Sequence, residues 1–291
     1  MAQQVWFITG SSRGFGRELV RSALAAGDFV VATARRPEQL ADLVEQYGDR
    51  ILPVALDVTD AAAAQHAIEA AVTRFGRVDV VVNNAGYANV FPIETGPEAD
   101  FRAQFETNFW GVYNVSRAAV TAMRKQGHGT IVQFSSVGGR VGGNPGIGAY
   151  QAAKFAVDGF SRVLAVETAP FGIKVLVIEP SGFATDWAGS SMKIEPVTPG
   201  YEDTVGALVK LFSSSNVVAA GDPARGAEII VNVVKRDTLP SHLLLGVNAV
   251  DMSRAYSNGQ LAELETWAGV SKSADTNQPF PQPFPADAAA K

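Results

Sequence analysis

Tyr150 and Lys154, four residues apart in YQAAK, stand where a glycine-rich stretch gives way to a helical pattern. On a helix, positions i and i+4 share a face, so a phenol and an ammonium project into one cleft. A free tyrosine titrates near about 10 and is a poor base at neutral pH. A cation roughly 4 Å away, in an effective dielectric of about 20, favours the phenolate by on the order of 4 kcal/mol, or about three pKa units. Tyr150 is therefore a candidate general acid for carbonyl reduction and general base for alcohol oxidation, with Lys154 lowering its pKa.

A second constellation lies near the start. TGSSRGFGRELV (9–20) follows an apolar run and opens a helical one, with Gly10, Gly14 and Gly16 at dinucleotide-loop spacing. Glycines there permit a tight turn, close backbone approach to a pyrophosphate and tight helix packing, and the helix N-terminus offers unpaired N–H groups to the anion. The second apolar run ends in VVATARRPEQL, where an NAD site usually carries an acidic residue for the ribose hydroxyls. Here Ala34 is followed by Arg35 and Arg36, which removes repulsion against a 2′-phosphate and supplies guanidinium forks. With Arg13 inside the loop, the pattern predicts NADP (NADPH) over NAD.

These residues need a scaffold. Short β-branched or aromatic runs recur at 5–9, 29–34, 51–56, 78–83, 129–135 and 173–179, and read as buried parallel strands. Helical spacing fills the intervals, over 15–27, 61–76, 101–127 and 150–172. The alternation predicts an α/β fold, a doubly wound parallel sheet of Rossmann type flanked by helices. One domain is expected over 1–270. After Glu179 the pattern loosens: a segment rich in turn formers over about 183–200 reads as a substrate lid, followed by helices near 201–213 and 223–236, a strand at 241–246 and a helix over 247–268. The proline-rich tail, 271–291, reads as extended.

Composition narrows the chemistry. The 291 residues are 47% hydrophobic, with no cysteine, three histidines and a net charge of −5. Thiolate catalysis and disulfides are excluded, and the separated His66, His128 and His242 predict no metal site. The acidic balance disfavours nucleic acid and anionic membranes. Without a signal-peptide pattern or a run of roughly 20 apolar residues, a cytoplasmic location is expected.

Seven motifs in order make the chain resemble the short-chain dehydrogenase/reductase family: TGSSRGFG (9–16), LDV (56–58), NNAG (83–86), TNFWGVYN (107–114), FSS (134–136), YQAAK (150–154) and EPSGFATDW (179–187). The resemblance implies a catalytic set of Asn108, Ser136, Tyr150 and Lys154. Lys154 would also hydrogen-bond the nicotinamide ribose, and Asn108 would hold a water linking the lysine to solvent. It implies cofactor contacts from Gly10, Ser12, Arg13, Gly14, Phe15 and Gly16, from Arg35 and Arg36, and from Asp57 at the adenine with Val58 nearby. Asn84, Ala85 and Gly86 would flank the ribose, beside a supporting Asn83. Tyr150, Lys154, Pro180, Gly182, Phe183 and Thr185 would surround the nicotinamide.

Two departures from the family pattern stand out. Ser136 and Tyr150 are fourteen positions apart where the family usually has thirteen, with the extra residue in GRVGGNPG; Ser135 would be fifteen away. Pro180-Ser181 replaces the common Pro-Gly, with Gly182 one place later. Apolar residues around Tyr87, 89–94, 141–147 and 183–194 predict a small hydrophobic carbonyl or alcohol substrate, and the pattern is closest to hydroxysteroid-dehydrogenase-like members. Family members commonly pair through the helices predicted at 100–126 and 150–169, which implies a homodimer or homotetramer. An NADP-binding regulator, or another reaction type such as an epimerase or enoyl reductase, are the competing readings.

Overall fold

The computed structural model describes residues 3–185, 192–213, 220–280 and 283–285. Seven parallel strands form the central sheet in the order β3-β2-β1-β4-β6-β7-β9. They are β1 (Val5–Ile8), β2 (Phe29–Ala34), β3 (Ile51–Ala55), β4 (Val80–Asn83), β6 (Gly129–Phe134), β7 (Ile173–Pro180) and β9 (His242–Leu245). A separate parallel pair joins β5 (Ala88–Val90) to β8 (Met192–Ile194). Pro53 breaks no ladder between two neighbours, because β3 is an edge strand.

Helices cover both faces: α1 (Gly14–Ala25), α2 (Ala41–Tyr47), α3 (Ala61–Phe75), α4 (Glu98–Phe105), α5 (Gly111–Gln126), α6 (Gly138–Val141), α7 (Gly148–Thr168), α8 (Val205–Ser213), α9 (Pro223–Val234) and α10 (Val247–Lys272). The twofold alternation of β1 sets the layers. Trp6 and Ile8 meet Leu19, Leu24, Ile230 and Val231 of α1 and α9, whereas Phe7 turns to Ile68, Val115 and Met123 of α3 and α5. Each such buried side chain contributes roughly 1.5–3 kcal/mol. The strand order reverses beside β1, between β2 and β4, and opens a crevice at the carboxyl ends of the strands.

Several expectations are corrected. The helix expected over 101–127 is two, joined by a π-helical turn over 106–110 in which Gly111 N–H reaches Glu106 O. The helix expected from 201 begins at Val205, after turns at 201–204. The last helix continues to Lys272, so 271 and 272 are not extended tail. The short elements α2, β5 and β8 had no strong periodic signal; β8 falls inside the segment read as a lid. The centre of that lid, 186–191 with Trp187, lies outside the described residues, as do 281–282 and 286–291 of the tail. No helix among the described residues is long and apolar enough to cross a membrane.

Candidate active site

A cavity of about 870 Å³ runs along the carboxyl ends of the strands, within the usual range for small-molecule and cofactor sites. The glycine loop forms part of its wall. Gly10 and Gly14 have φ of 66° and 53°, the left-handed region that glycine enters without strain. A Cβ on Gly16 would lie 2.2 Å from Gly10 O and 2.5 Å from Asn84 Nδ2, so the first turn of α1 closes on the loop only without a side chain there. Asn84 braces this turn, donating to Thr9 O at 2.9 Å and Gly10 O at 3.2 Å. Thr9 Oγ1 accepts from Asn84 N and Ala85 N.

Gly10, Ser12, Arg13, Gly14, Phe15, Arg35, Asp57, Val58, Asn84, Ala85 and Gly86 all line the cavity. Arg36 and Gly16 do not: Arg36 is exposed at the start of the turn after β2, and Gly16 lies beneath the loop. Asp57 keeps its side chain on Thr59, accepting from Thr59 N at 3.0 Å and Thr59 Oγ1 at 2.8 Å. Asn83 faces inward, donating to Ser116 Oγ and Gln133 Oε1, and so supports the sheet. A glycine cradle at the N-terminus of a twelve-residue helix, with an arginine and no carboxylate after β2, fits a dinucleotide.

Ser136, Tyr150 and Lys154 line the same cavity with Pro180, Gly182, Phe183 and Thr185, and Phe183 packs on Phe15 of the glycine loop with ring centroids 4.7 Å apart. Tyr150 and Lys154 share one face of α7 and are 7% and 4% exposed. The Ser136 hydroxyl lies close enough to the Tyr150 phenol to favour its anion. Ser136 Oγ also accepts from Gly138 N at 3.0 Å, which orients it. The fourteen-residue interval closes because α6 and the left-handed Gly142, Gly143 and Gly146 take up the extra length. Ser135 is committed elsewhere, donating to Lys154 O at 3.1 Å.

Burial pushes the Tyr150 phenol up to about 12, against a smaller opposite pull from the Ser136 hydroxyl. Burial also holds Lys154 down at about 8. The expected lowering of Tyr150 by Lys154 is thus not what the protein alone provides, because desolvation outweighs it and the ammonium turns to Phe134 O at 2.6 Å. At neutral pH the phenol is therefore protonated in the protein alone.

Asn108 lies in the π-turn, fully buried and off the cavity wall. Its Nδ2 donates to Tyr87 O and Gln104 O, both at 2.9 Å, and its Oδ1 accepts from Tyr87 N. It locks the start of β5 to the helix. Of the segment 89–94 only Asn89 reaches the cavity; Phe91 packs over Gly96 and Ile93 is exposed. Asn144 and Ile147 enter from the glycine-rich loop, and Met192 from β8. Phe212 of α8 and Asn248 and Met252 of α10 also line it. The sequence reading missed these three, since they come from elements whose placement follows no spacing rule from the motifs.

The short chain dehydrogenase family model matches residues 4–195, a stretch that holds the glycine cradle, Ser136, Tyr150 and Lys154. This chain belongs to the short-chain dehydrogenases. It is an oxidoreductase of a family that binds nicotinamide cofactors. The short-chain dehydrogenase is 47% identical over 269 residues to the oxidoreductase BOA17 of Botryotinia fuckeliana, covering 92% of this chain and 98% of that protein. A crystal structure of a short-chain dehydrogenase from Streptomyces avermitilis superposes with a TM-score of 0.87 at 40% identity, covering 94% of this chain and all of that one. A gluconate 5-dehydrogenase from Burkholderia cenocepacia, in complex with NADP and tartrate, gives 0.72 at 26% identity, covering 86% and 96%.

Proposed function

We propose that this short-chain dehydrogenase interconverts a hydrophobic ketone or aldehyde and its alcohol, with NADP as cofactor and Tyr150 as the general acid and base. The observation that carries this reading is the Tyr150 hydroxyl, buried, close to Ser136 and one helical turn from Lys154, in the same cavity as the glycine cradle. When bound, the nicotinamide supplies or accepts the hydride. Ser136 polarises the carbonyl oxygen as charge develops on it. Tyr150 delivers its proton to that oxygen in reduction and takes it back in oxidation. Lys154 places a positive charge below the phenol, and Thr185 stands beside Gly14 to hold the nicotinamide carboxamide.

Arg35 on the cavity wall and Arg13 in the loop support the 2′-phosphate and hence NADP, in keeping with the NADP held by the B. cenocepacia enzyme. Ile147, Val137, Met192, Phe212 and Met252 support an apolar substrate. We read a single domain over 1–270, with Phe183, Thr185 and Met192, from the described parts of the expected lid, on the cavity wall. Exposed Trp110, Phe155, Val163 and Val166, next to and along α5 and α7, support pairing into a homodimer or homotetramer. A purely regulatory NADP-binding role is disfavoured by the complete set Asn108, Ser136, Tyr150 and Lys154. We place the enzyme in the cytoplasm.

The test is NADPH oxidation against aromatic ketones, aldehydes, steroids and sugars, with Tyr150→Phe alongside. Turnover of an apolar ketone that drops on the order of 10² to 10⁴-fold in Tyr150→Phe is expected. Undiminished reduction by that variant would sink the mechanism.

A further inference from the structure

The turn that presents Ser136 is one helical turn long, and its docking uses two devices. Gly139 lies against α7, where a Cβ would meet Ser135 Oγ at 2.6 Å and Lys154 Cβ at 2.7 Å. Arg140, the only charged side chain of α6, reaches across to β7 and donates from Nε to Glu179 Oε2 at 2.8 Å. Glu179 is fully buried and immediately precedes Pro180, whose carbonyl accepts from Val137 N at 3.1 Å. The end of β7 is therefore joined to the Ser136 turn twice, once through backbone and once through charge.

The other side of Glu179 faces α7 and β9. Asp158, one turn beyond Lys154, accepts from Arg162 Nε at 2.9 Å and sits 2.5 Å from His242 Nε2. Asp158, Glu179 and His242 each offer a ligand atom within 4.8 Å of the others, and Glu179 Oε1 has no hydrogen-bond partner. A metal could use that spacing. However, Arg140 and Arg162 already neutralise both carboxylates, and a divalent ion would leave the half-buried cluster with excess positive charge. The cluster is better read as a charge network in which one buried carboxylate is shared by the segments carrying Ser136, Lys154 and Pro180.

We propose that the Arg140–Glu179 ion pair is a positioning device for catalysis, holding the Ser136 turn on β7 so that the Ser136 hydroxyl meets Tyr150. It rests on the reading of Ser136 and Tyr150 as the reacting pair, and it acts through Ser136 alone. Neither Arg140 nor Glu179 lines the cavity, so neither touches substrate.

A double-mutant cycle separates this role from general support, because residues acting through one another are non-additive. Arg140→Met should lower kcat at least tenfold with the cofactor KM within twofold, and Arg140→Lys should restore most of it. In a Ser136→Ala background the same Arg140→Met change should cost less than twofold. Equal losses in both backgrounds, or no loss in the first, would overturn the proposal. Crystal structures of wild type, Arg140→Met and Glu179→Gln give a reading that needs no substrate. The Ser136–Tyr150 hydrogen bond should be present in the first and broken in the other two, and its persistence in Arg140→Met overturns the proposal whatever the activity. Zinc titration of wild type, followed by the metal's effect on melting temperature, is expected to show no saturable binding; stoichiometric binding lost in His242→Ala would overturn the network in favour of a metal site. Failure of the functional reading shows separately, as absent carbonyl reduction by wild type.

Discussion

Lys154 donates its ammonium to the backbone carbonyl of Phe134 at 2.6 Å, in a site that leaves the residue 4% exposed. Burial lowers its pKa from 10.5 to about 8, so folding carries a charged-lysine cost on the order of 3 kcal/mol at neutral pH. The unfolded chain binds the extra proton between about 8 and 10.5, so this cost fades and stability gains as pH rises through that window. Lys154→Met should therefore compare best with wild type at pH 7 and lose roughly 2–3 kcal/mol of that relative advantage by about pH 10. Urea unfolding at the two pH values checks it; a stability difference that does not move with pH sinks it.

The same two pKa values give opposite profiles for the two directions of reaction. Tyr150, up at about 12, stays protonated across the accessible range, so reduction does not lack its acid. Reduction should decline above about pH 8 as Lys154 loses its proton. Alcohol oxidation needs the phenolate and should climb with pH from neutrality upward. Initial rates in both directions from pH 6 to 10 provide the measurement, and an oxidation rate independent of pH would contradict a tyrosine base.

Arg35 lines the cavity whereas Arg36 does not, although they are adjacent in sequence. Arg35→Ala should lower kcat/KM with NADPH by about 10 to 100-fold while NADH changes little, since a charge-assisted pair with the 2′-phosphate is lost. Arg36→Ala should leave both within about twofold. Equal effects of Arg35→Ala on the two cofactors would mean that the arginine reads no phosphate.

The sheet was legible because its central strands are buried on both faces, so runs such as VWFI and the VVV of β4 carry β-branched and aromatic residues without polar interruption. The Ser136, Tyr150 and Lys154 group was legible because it lies on consecutive elements, where a strand end and one helix face fix direction. The break at 106–110 was not. A π-turn needs one unpaired backbone group, here stabilised by Asn108 bonding back to Gln104 and across to Tyr87, and that compensation is tertiary. Phe212, Asn248 and Met252 were hidden for a related reason: α8 and α10 reach the cavity only after the chain has closed over it. The lowered pKa expected for Tyr150 failed on burial, a quantity that a spacing of four residues does not contain.

Gly16, in the first turn of α1, and Gly27, just past its end, make a controlled comparison of two glycine roles. Gly27 has φ 88° with nothing within 4 Å of an added Cβ, so Gly27→Ala costs only backbone strain, about 1–2 kcal/mol. Gly16 would place its Cβ 2.2 Å from Gly10 O and 2.5 Å from Asn84 Nδ2, atoms of the cradle itself that cannot swing aside. Gly16→Ala must push α1 off the loop, disturbing the Asn84 bonds to Thr9 O and Gly10 O together with the N–H groups that face the cavity. Overpacking of this kind costs typically about 1–3 kcal/mol. Both variants should thus lose comparable stability, yet only Gly16→Ala should weaken cofactor binding, by at least tenfold. Tryptophan-quenching titrations with NADPH at a temperature where both variants are folded decide the matter. Equal affinity for the two variants would show that the closeness of α1 to the loop serves packing alone.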